Sequence, residues 1–354
     1  MKRYGNLFGS IVSFQALLAA SRKARRGKRY KVSTARFEHN LERELIRLHR
    51  QLTQKSYRPG PYREFKIYEP KPRKISAAPY RDRVVQHALY AVIEPVFERS
   101  MIFDTYACRV RKGTHKAVER FTHFARRFSY VLKCDVRKFF PSIDHEILKT
   151  KLRRKIKCAD TLWLIDLIID SSNPQESTND YFPGDDLFTP LDREKGIPIG
   201  NLSSQLFANW YMNDLDHFIK EHFPQFGYLR YMDDMTLCSD RKEDLWWVLK
   251  HIETFLEKDR LKLKPEKSMV YPVGGGVDYL GYRIFPTHRK IRYENVVRYR
   301  RRLKQLQKRY FNGEIGVQAI RQSVLSWIGH VGHADSWRLR KSLFQSIPFT
   351  RGGI

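Results

Sequence analysis

Apolar residues recur at three- and four-residue spacing in some stretches of the chain and alternate with polar ones in others, which predicts a mixed α and β protein. Phe37, Leu41, Leu45, Leu48 and Leu52 fall on one face of a helix. Residues 62–69, YREFKIYE, alternate as a strand does, and the Pro70 to Pro72 turn ends it. Val84, Val85, Ala88, Leu89, Val92, Ile93, Val96 and Phe97 then supply the apolar face of a second helix. Tyr130 to Val136 reads as a buried strand, with a helix following from about His145. Residues 171–195, rich in Asp, Pro, Ser and Asn, lack periodicity and read as an exposed loop. Leu202 to Ile219 reads as one helix, and YLRYMDDMTLCS (228–239) as a hairpin around a tight Met-Asp-Asp turn. Leu245, Leu249, Ile252, Phe255 and Leu256 mark a helix over Leu245 to Lys258, with Trp246 and Trp247 read as core. From Arg289 to Arg309 the spacing of Val296, Tyr299, Leu303, Leu306 and Tyr310 predicts a helix with one buried face.

Charge changes this picture. The 354 residues hold 67 Lys and Arg against 38 Asp and Glu, a net charge of +29. Self-repulsion on that scale is ordinarily relieved by a polyanion, so nucleic acid is the first partner to consider. No apolar run is long enough to span a bilayer. The N-terminal stretch MKRYGNLFGSIVSFQALLAASRK is interrupted by Ser13 and Gln15 and reads as an amphipathic helix rather than a signal peptide. Seven basic residues and no acid lie in 22–31, RKARRGKRYK, a solvated loop or a contact to RNA phosphates. The helix expected at 289–309 carries ten basic residues and a single acid, the pattern of a helix that tracks a duplex. Four well-separated cysteines fit a reducing, cytoplasmic setting and no zinc ribbon. His115, His123, His330 and His333 lack zinc-site spacing, and Gly274 to Gly276 reads as a turn rather than a phosphate loop.

The chemistry is concentrated in two acidic strand ends. Asp135 closes one buried strand, and Asp233 and Asp234 sit at the tip of the hairpin. Carboxylates beside a core are costly unless cations neutralise them. Mg²⁺ takes one or two protein carboxylates plus phosphate oxygens, and a pair of such ions stabilises both oxygens of an in-line displacement. Aspartate is common in turns, so Asp135 alone is equally well explained by one. The string Tyr231-Met232-Asp233-Asp234 recurs by chance in roughly one of several hundred chains of this length. Here it falls between two predicted strands and after a second aspartate strand.

At this point the chain resembles the reverse transcriptases, from about Tyr62 to Gly281, with the motifs in order. Lys71, Pro72, Arg73 and Lys74 resemble the basic fingers strand that grips the incoming triphosphate. Asp135 and FFPSID match the first palm motif, with Phe140 at the position that excludes a ribose 2′-hydroxyl. GIPIGNLSSQLFAN (196–209), with Ile199, Gly200 and Gln205, resembles the motif against the template and incoming nucleotide. Leu263 to Lys267 resembles the lysine-bearing motif, with Lys267 the candidate to protonate the leaving group. Tyr279 to Tyr282 resembles the primer grip, where Tyr279 and Gly281 would meet nucleic acid. Arg298, Arg300, Arg301 and Arg302 would do so on the thumb.

The resemblance implies a right-hand α+β polymerase: a basic helical extension over 1–60, fingers over 61–130, a palm with an antiparallel sheet over 131–282 including a finger-side loop at 171–195, and a helical thumb with C-terminal tail over 283–354. It implies an RNA-directed DNA polymerase, a nucleotidyltransferase working on template RNA, RNA–DNA hybrid and dNTPs. Asp135, Asp233 and Asp234, with the Val136 carbonyl, would bind two Mg²⁺ ions, with Mn²⁺ as a substitute. Relatives from group II introns usually read Gln-Gly where this chain reads Ile199-Gly200. Together with YREFKIYEPKPR, TYACRVRKGTH and SWIGHVGHADS, that resembles the enzymes of bacterial and phage diversity-generating retroelements. Those enzymes misincorporate opposite template adenine and work with a small basic oligomeric accessory protein. The sequence shows no endonuclease or zinc module after the thumb, so a mobile-intron role is not expected. An antiphage-defence reverse transcriptase shares several motifs, and a non-catalytic RNA-binding protein on the same fold is the rival from another class.

Overall fold

The structure is a computed structural model, and it describes residues 2–68, 72–176 and 178–351. The chain opens with α1 (Phe8–Val12) and α2 (Phe14–Ala24). Ser13 separates them because its backbone is extended and its hydroxyl accepts a bond from the Ala16 N–H at 3.2 Å, capping α2. The run expected as one helix over Phe37 to Leu52 is two, α3 (Val32–His39) and α4 (Leu41–Thr53), because Asn40 leaves helical geometry at φ −109°, ψ 33°. Ile11, Leu17, Leu45, Leu48 and Leu52 are fully buried, so the N-terminal helices form part of the core. A two-stranded hairpin follows, β1 (Arg63–Ile67) with β2 (Arg73–Ala77), and then α5 (Tyr80–Glu98) and α6 (Thr114–Arg127).

The centre of the molecule is built from β3 (Tyr130–Asp135), α7 (Phe139–Ser142), α8 (His145–Arg153), α9 (Ala159–Asp170), α10 (Thr189–Asp192), α11 (Leu202–Tyr211), α12 (Asn213–His222), β4 (Gly227–Tyr231), β5 (Asp234–Ser239), α13 (Lys242–Lys258) and β6 (Met269–Pro272). Its strands form an antiparallel sheet in the order β4-β5-β3-β6. The helix expected over Leu202 to Ile219 is interrupted at Met212, between α11 and α12. The described residues of 171–195 are irregular apart from α10, as the missing periodicity predicts. A small meander of β7 (Val277–Tyr279), β8 (Tyr282–Ile284) and β9 (Arg289–Ile291) leads to α14 (Tyr293–Phe311), α15 (Val317–Val331) and α16 (Trp337–Ser346). The helix read from Arg289 therefore starts four residues later, after a strand.

Alternating side chains of the sheet feed two cores. Leu132, Cys134, Tyr228, Met235 and Leu237 join the core shared with the N-terminal helices and α5. Val131, Leu229 and Cys238 join a second core with α6, the meander and α14–α16. Trp246 and Trp247, expected in the core, are 40% and 52% exposed. The buried face of α13 is Leu245, Val248, Leu249, Ile252 and Leu256, and both tryptophans fall outside it. Among the described residues no helix is long and apolar enough to cross a membrane.

Candidate active site

The second-core face of the sheet also carries the acids. Pairing of β3 with β5 sets Asp135 directly opposite Asp234 at the end of the sheet. Tyr231 pairs with Asp234 across the hairpin, so Met232 and Asp233 form a two-residue turn. Met232 takes a positive φ of 59°, a conformation that favours glycine and costs a larger residue roughly 1–2 kcal/mol. The turn is held from the other face by Arg230. That guanidinium is fully buried and uses all its donors: Nε and Nη2 on Asp216 at 2.8 and 2.6 Å, Nη1 and Nη2 on Asn209, and Nη1 on the Met232 carbonyl at 2.8 Å. The Tyr228 hydroxyl donates to Asp216 as well, at 2.7 Å.

Past β3 the backbone stays paired. The Val136 N–H donates to the Asp233 carbonyl at 3.4 Å, and Lys264 N–H donates to the Asp135 carbonyl at 2.8 Å. This brings Lys264 to one carboxylate oxygen of Asp135, while Lys267 Nζ lies 2.7 Å from the other. Burial raises the Asp135 pKa, but the two ammonium groups outweigh it and hold the carboxyl below its ordinary value. Asp233 is raised by burial and by the charge of Asp135. Asp234 is pushed up to about 6, chiefly by burial, with Lys133 opposing and the neighbouring aspartates adding to the rise. Among the described residues these three carboxylates do not all come within 4.8 Å of one another, and Asp135 is paired with its two lysines. A cleft of about 400 Å³ opens here between the central sheet and the meander, lined by Asp135, Asp234, Lys267, Gly281 and Arg292 among others. A donor set of this kind, with two acids whose charged form is disfavoured by burial and by neighbouring aspartates, has the oxygen ligands that hard divalent cations take.

Phe140 lies in α7, half-buried against the main core, and its carbonyl accepts from the Ile197 N–H at 3.0 Å. The Ile199 carbonyl accepts from the Ser76 N–H of β2 at 3.0 Å. Gly200, at φ +124°, sits so close that a Cβ would lie 3.2 Å from the Ser76 carbonyl oxygen. The β1–β2 hairpin is thus docked on the 196–209 segment. Gln205 is half-buried in the first turn of α11, and Arg73 is exposed at the start of β2. Lys71 lies outside the described residues. Arg298, Arg300, Arg301 and Arg302 are all exposed on α14, while Tyr299 and Leu303 turn inward. Tyr279 departs from expectation: it is 1% exposed and its ring packs on Phe121, so its side chain is not offered to a duplex.

Two features escaped the sequence reading. Arg230 inside an apolar strand was a signal, because a buried charge needs a partner, but nothing local pointed to Asp216. Lys264 lies in the same short motif as Lys267 and also pairs with Asp135.

The comparisons with known proteins bear on this geometry. The chain is similar to YkfC of Escherichia coli K12, 23% identical over 295 residues, covering 72% of this chain and 74% of that protein. It is similar to the group II intron-encoded protein LtrA of Lactococcus lactis subsp. cremoris, 19% identical over 340 residues that cover 77% of this chain and 54% of LtrA. An uncharacterized 91 kDa protein in a cob intron of Schizosaccharomyces pombe is 27% identical over 157 residues, 44% of this chain and 18% of that one. The chain thus spans about half of LtrA and under a fifth of the yeast protein. The family described as reverse transcriptase (RNA-dependent DNA polymerase) matches residues 66–284, which hold the acidic strand ends, the hairpin and the segment docked on β2. Matched over more than half its length, the chain belongs to the reverse transcriptases.

Proposed function

We propose that this chain copies an RNA template into cDNA, joining a primer 3′-hydroxyl to the α-phosphate of a dNTP with release of pyrophosphate. The observation that carries the proposal is Asp135 set opposite Asp234 at the open end of the sheet, beside the Asp233 turn and the cleft. Asp135, Asp233, Asp234 and the Val136 carbonyl would hold two divalent cations, Mg²⁺ with Mn²⁺ as substitute, which supply charge stabilisation at the attacking and leaving oxygens. Arg73 and Lys71 neutralise the triphosphate from the fingers side. Phe140 fills the space of a ribose 2′-hydroxyl, and Ile199, Gly200 and Gln205 wall the nascent base pair. Lys267 stands near enough to Asp135 to hold a proton for the departing pyrophosphate. Fingers, palm and thumb correspond to 61–130, 131–282 and 283–354, with α14 along the RNA–DNA hybrid. Purified protein given primed RNA, dNTPs and Mg²⁺ should extend the primer, and wild-type extension by Asp233→Asn would refute the assignment.

Within the family we place the chain with the mutagenic enzymes of diversity-generating retroelements, cytoplasmic and partnered by a small basic accessory protein. Ile199 supports this reading: an aliphatic side chain gives only van der Waals contact where a glutamine would hydrogen-bond. Ile199→Gln should lower misincorporation opposite adenine, read by sequencing cDNA, more than it lowers synthesis. One observation favours a second reading, service to a mobile intron: LtrA is described as a group II intron-encoded protein. An unchanged adenine error rate in Ile199→Gln, with synthesis intact, would mean that infidelity arises elsewhere or that the enzyme is not a mutagenic one.

A further inference from the structure

At the start of α8, His145, Asp170 and Glu194 each offer one ligand atom within 4.8 Å of the others. His145, the first residue of α8, is 5% exposed. Its Nε2 lies 2.8 Å from the Gly196 carbonyl, which can only accept, so Nε2 carries the ring proton. Nδ1 is then left with a lone pair, and that atom is buried without a hydrogen bond. A ring nitrogen whose partner N–H is tied to a backbone carbonyl is oriented and made basic as metal-bound histidines are. Asp170 ends α9 and Glu194 follows α10, and both are exposed. Glu194 also lines a neighbouring recess in which Asp144, Glu146, Asp186 and Asp192 outnumber Arg193 and Arg260, a local excess of acid despite the net charge of +29. The competing cation is Lys149, which lies 2.7 Å from Asp170 and 3.0 Å from Glu146.

We propose that His145 Nδ1, Asp170 and Glu194 bind a divalent transition ion of the zinc type, separate from the polymerase cations. An imidazole nitrogen with two carboxylates selects such an ion over Mg²⁺. A tetrahedral site has ligand edges of roughly 3.4 Å, which rotation of two exposed carboxylates can supply. The ion would clip both ends of the 171–193 loop to α8, at the root of the segment that begins Gly196-Ile197. Closing a long loop in this way removes chain entropy from the open state.

The test is binding to the full-length protein in excess Mg²⁺, with Zn²⁺ measured by atomic emission after gel filtration and Co²⁺ as the spectroscopic probe. One equivalent should bind to the wild type and equally to Asp135→Asn/Asp233→Asn, with tetrahedral Co²⁺ absorption. Asp170→Asn and Glu194→Gln, both at exposed positions, should each weaken binding at least tenfold, and His145→Gln should abolish it. Lys149→Gln should tighten it. Bound Zn²⁺ should also slow tryptic cleavage at Arg193. The proposal is overturned if no equivalent binds, if it disappears in Asp135→Asn/Asp233→Asn, if Asp170→Asn and Glu194→Gln retain it undiminished, or if a thiolate-to-cobalt band assigns the metal to cysteine.

Discussion

The central sheet carries a charged assembly on each face, and the two differ in closure rather than in composition. On one face Arg230 and Asp216 are 0% exposed, with every guanidinium donor used. On the other, Asp135 meets Lys264 and Lys267 in an open cleft, the three side chains being 21%, 26% and 47% exposed. The first assembly is complete and fixes the Met232 carbonyl. The second, with Asp233 and Asp234 beside it, keeps acids whose charge burial disfavours. A closed pair shapes the hairpin, and the set beside it keeps Asp233 and Asp234 with raised pKa values next to a lysine-paired Asp135.

The sharpest way to break this comparison is to neutralise the open set. Asp233→Asn should reduce primer extension by roughly a hundredfold or more while leaving the unfolding midpoint unchanged or raised. Arg230→Met should do the reverse in kind. Stranding Asp216 should cost about 3–5 kcal/mol, read from urea unfolding, and Asp216→Leu added to it should recover part of the loss. Full stability in Arg230→Met would mean that the closed pair does not hold the hairpin.

A smaller effect separates the two acids that face each other. The Asp234 pKa is about 6 in the folded chain against an ordinary 3.8, so the folded form binds the extra proton between these values. The stability tied to Asp234 is therefore fully present below the ordinary value and lost as pH rises through about 6. In chelator, Asp234→Asn should melt higher than wild type near pH 7.5, with the gain vanishing towards pH 4. A gain that persists at pH 4 would point to packing instead. The smallest change is expected for Lys264→Met: a partly exposed ion pair contributes about 0.2–1 kcal/mol, and Lys267 remains on Asp135.

What the sequence made legible follows the same division. The hairpin was readable because two apolar runs flank a two-residue turn, and the β3 strand because it is short and apolar apart from Lys133 and its closing Asp135. Helix breaks at Asn40 and Met212 were not, since apolar spacing records which face is buried and continues across a residue that leaves helical geometry. Trp246 and Trp247, read as core, are exposed. They follow Leu245 by one and two steps around α13, which takes them off its buried face. The acids of the cleft were legible as strand ends, whereas Asp216 reaches Arg230 only through the packing of α12 under β4. Tyr279 was read from its motif, and its burial against Phe121 depends on α6, far away in sequence.

The separation into two cores has a consequence for the boundaries at which this protein can be cut. The stretch matched by its family ends at 284, yet Val131, Leu229 and Cys238 are covered with the help of Tyr299, Leu303, Trp327 and Leu343. At the other end it starts at 66, while α5 is packed against α1 and α2 through residues such as Ile11 and Leu17. A fragment trimmed to the matched stretch would uncover α5 at one end and open the second core at the other. The unit of inheritance is thus smaller than the unit of folding, and a soluble truncation has to keep the flanking helices on both ends.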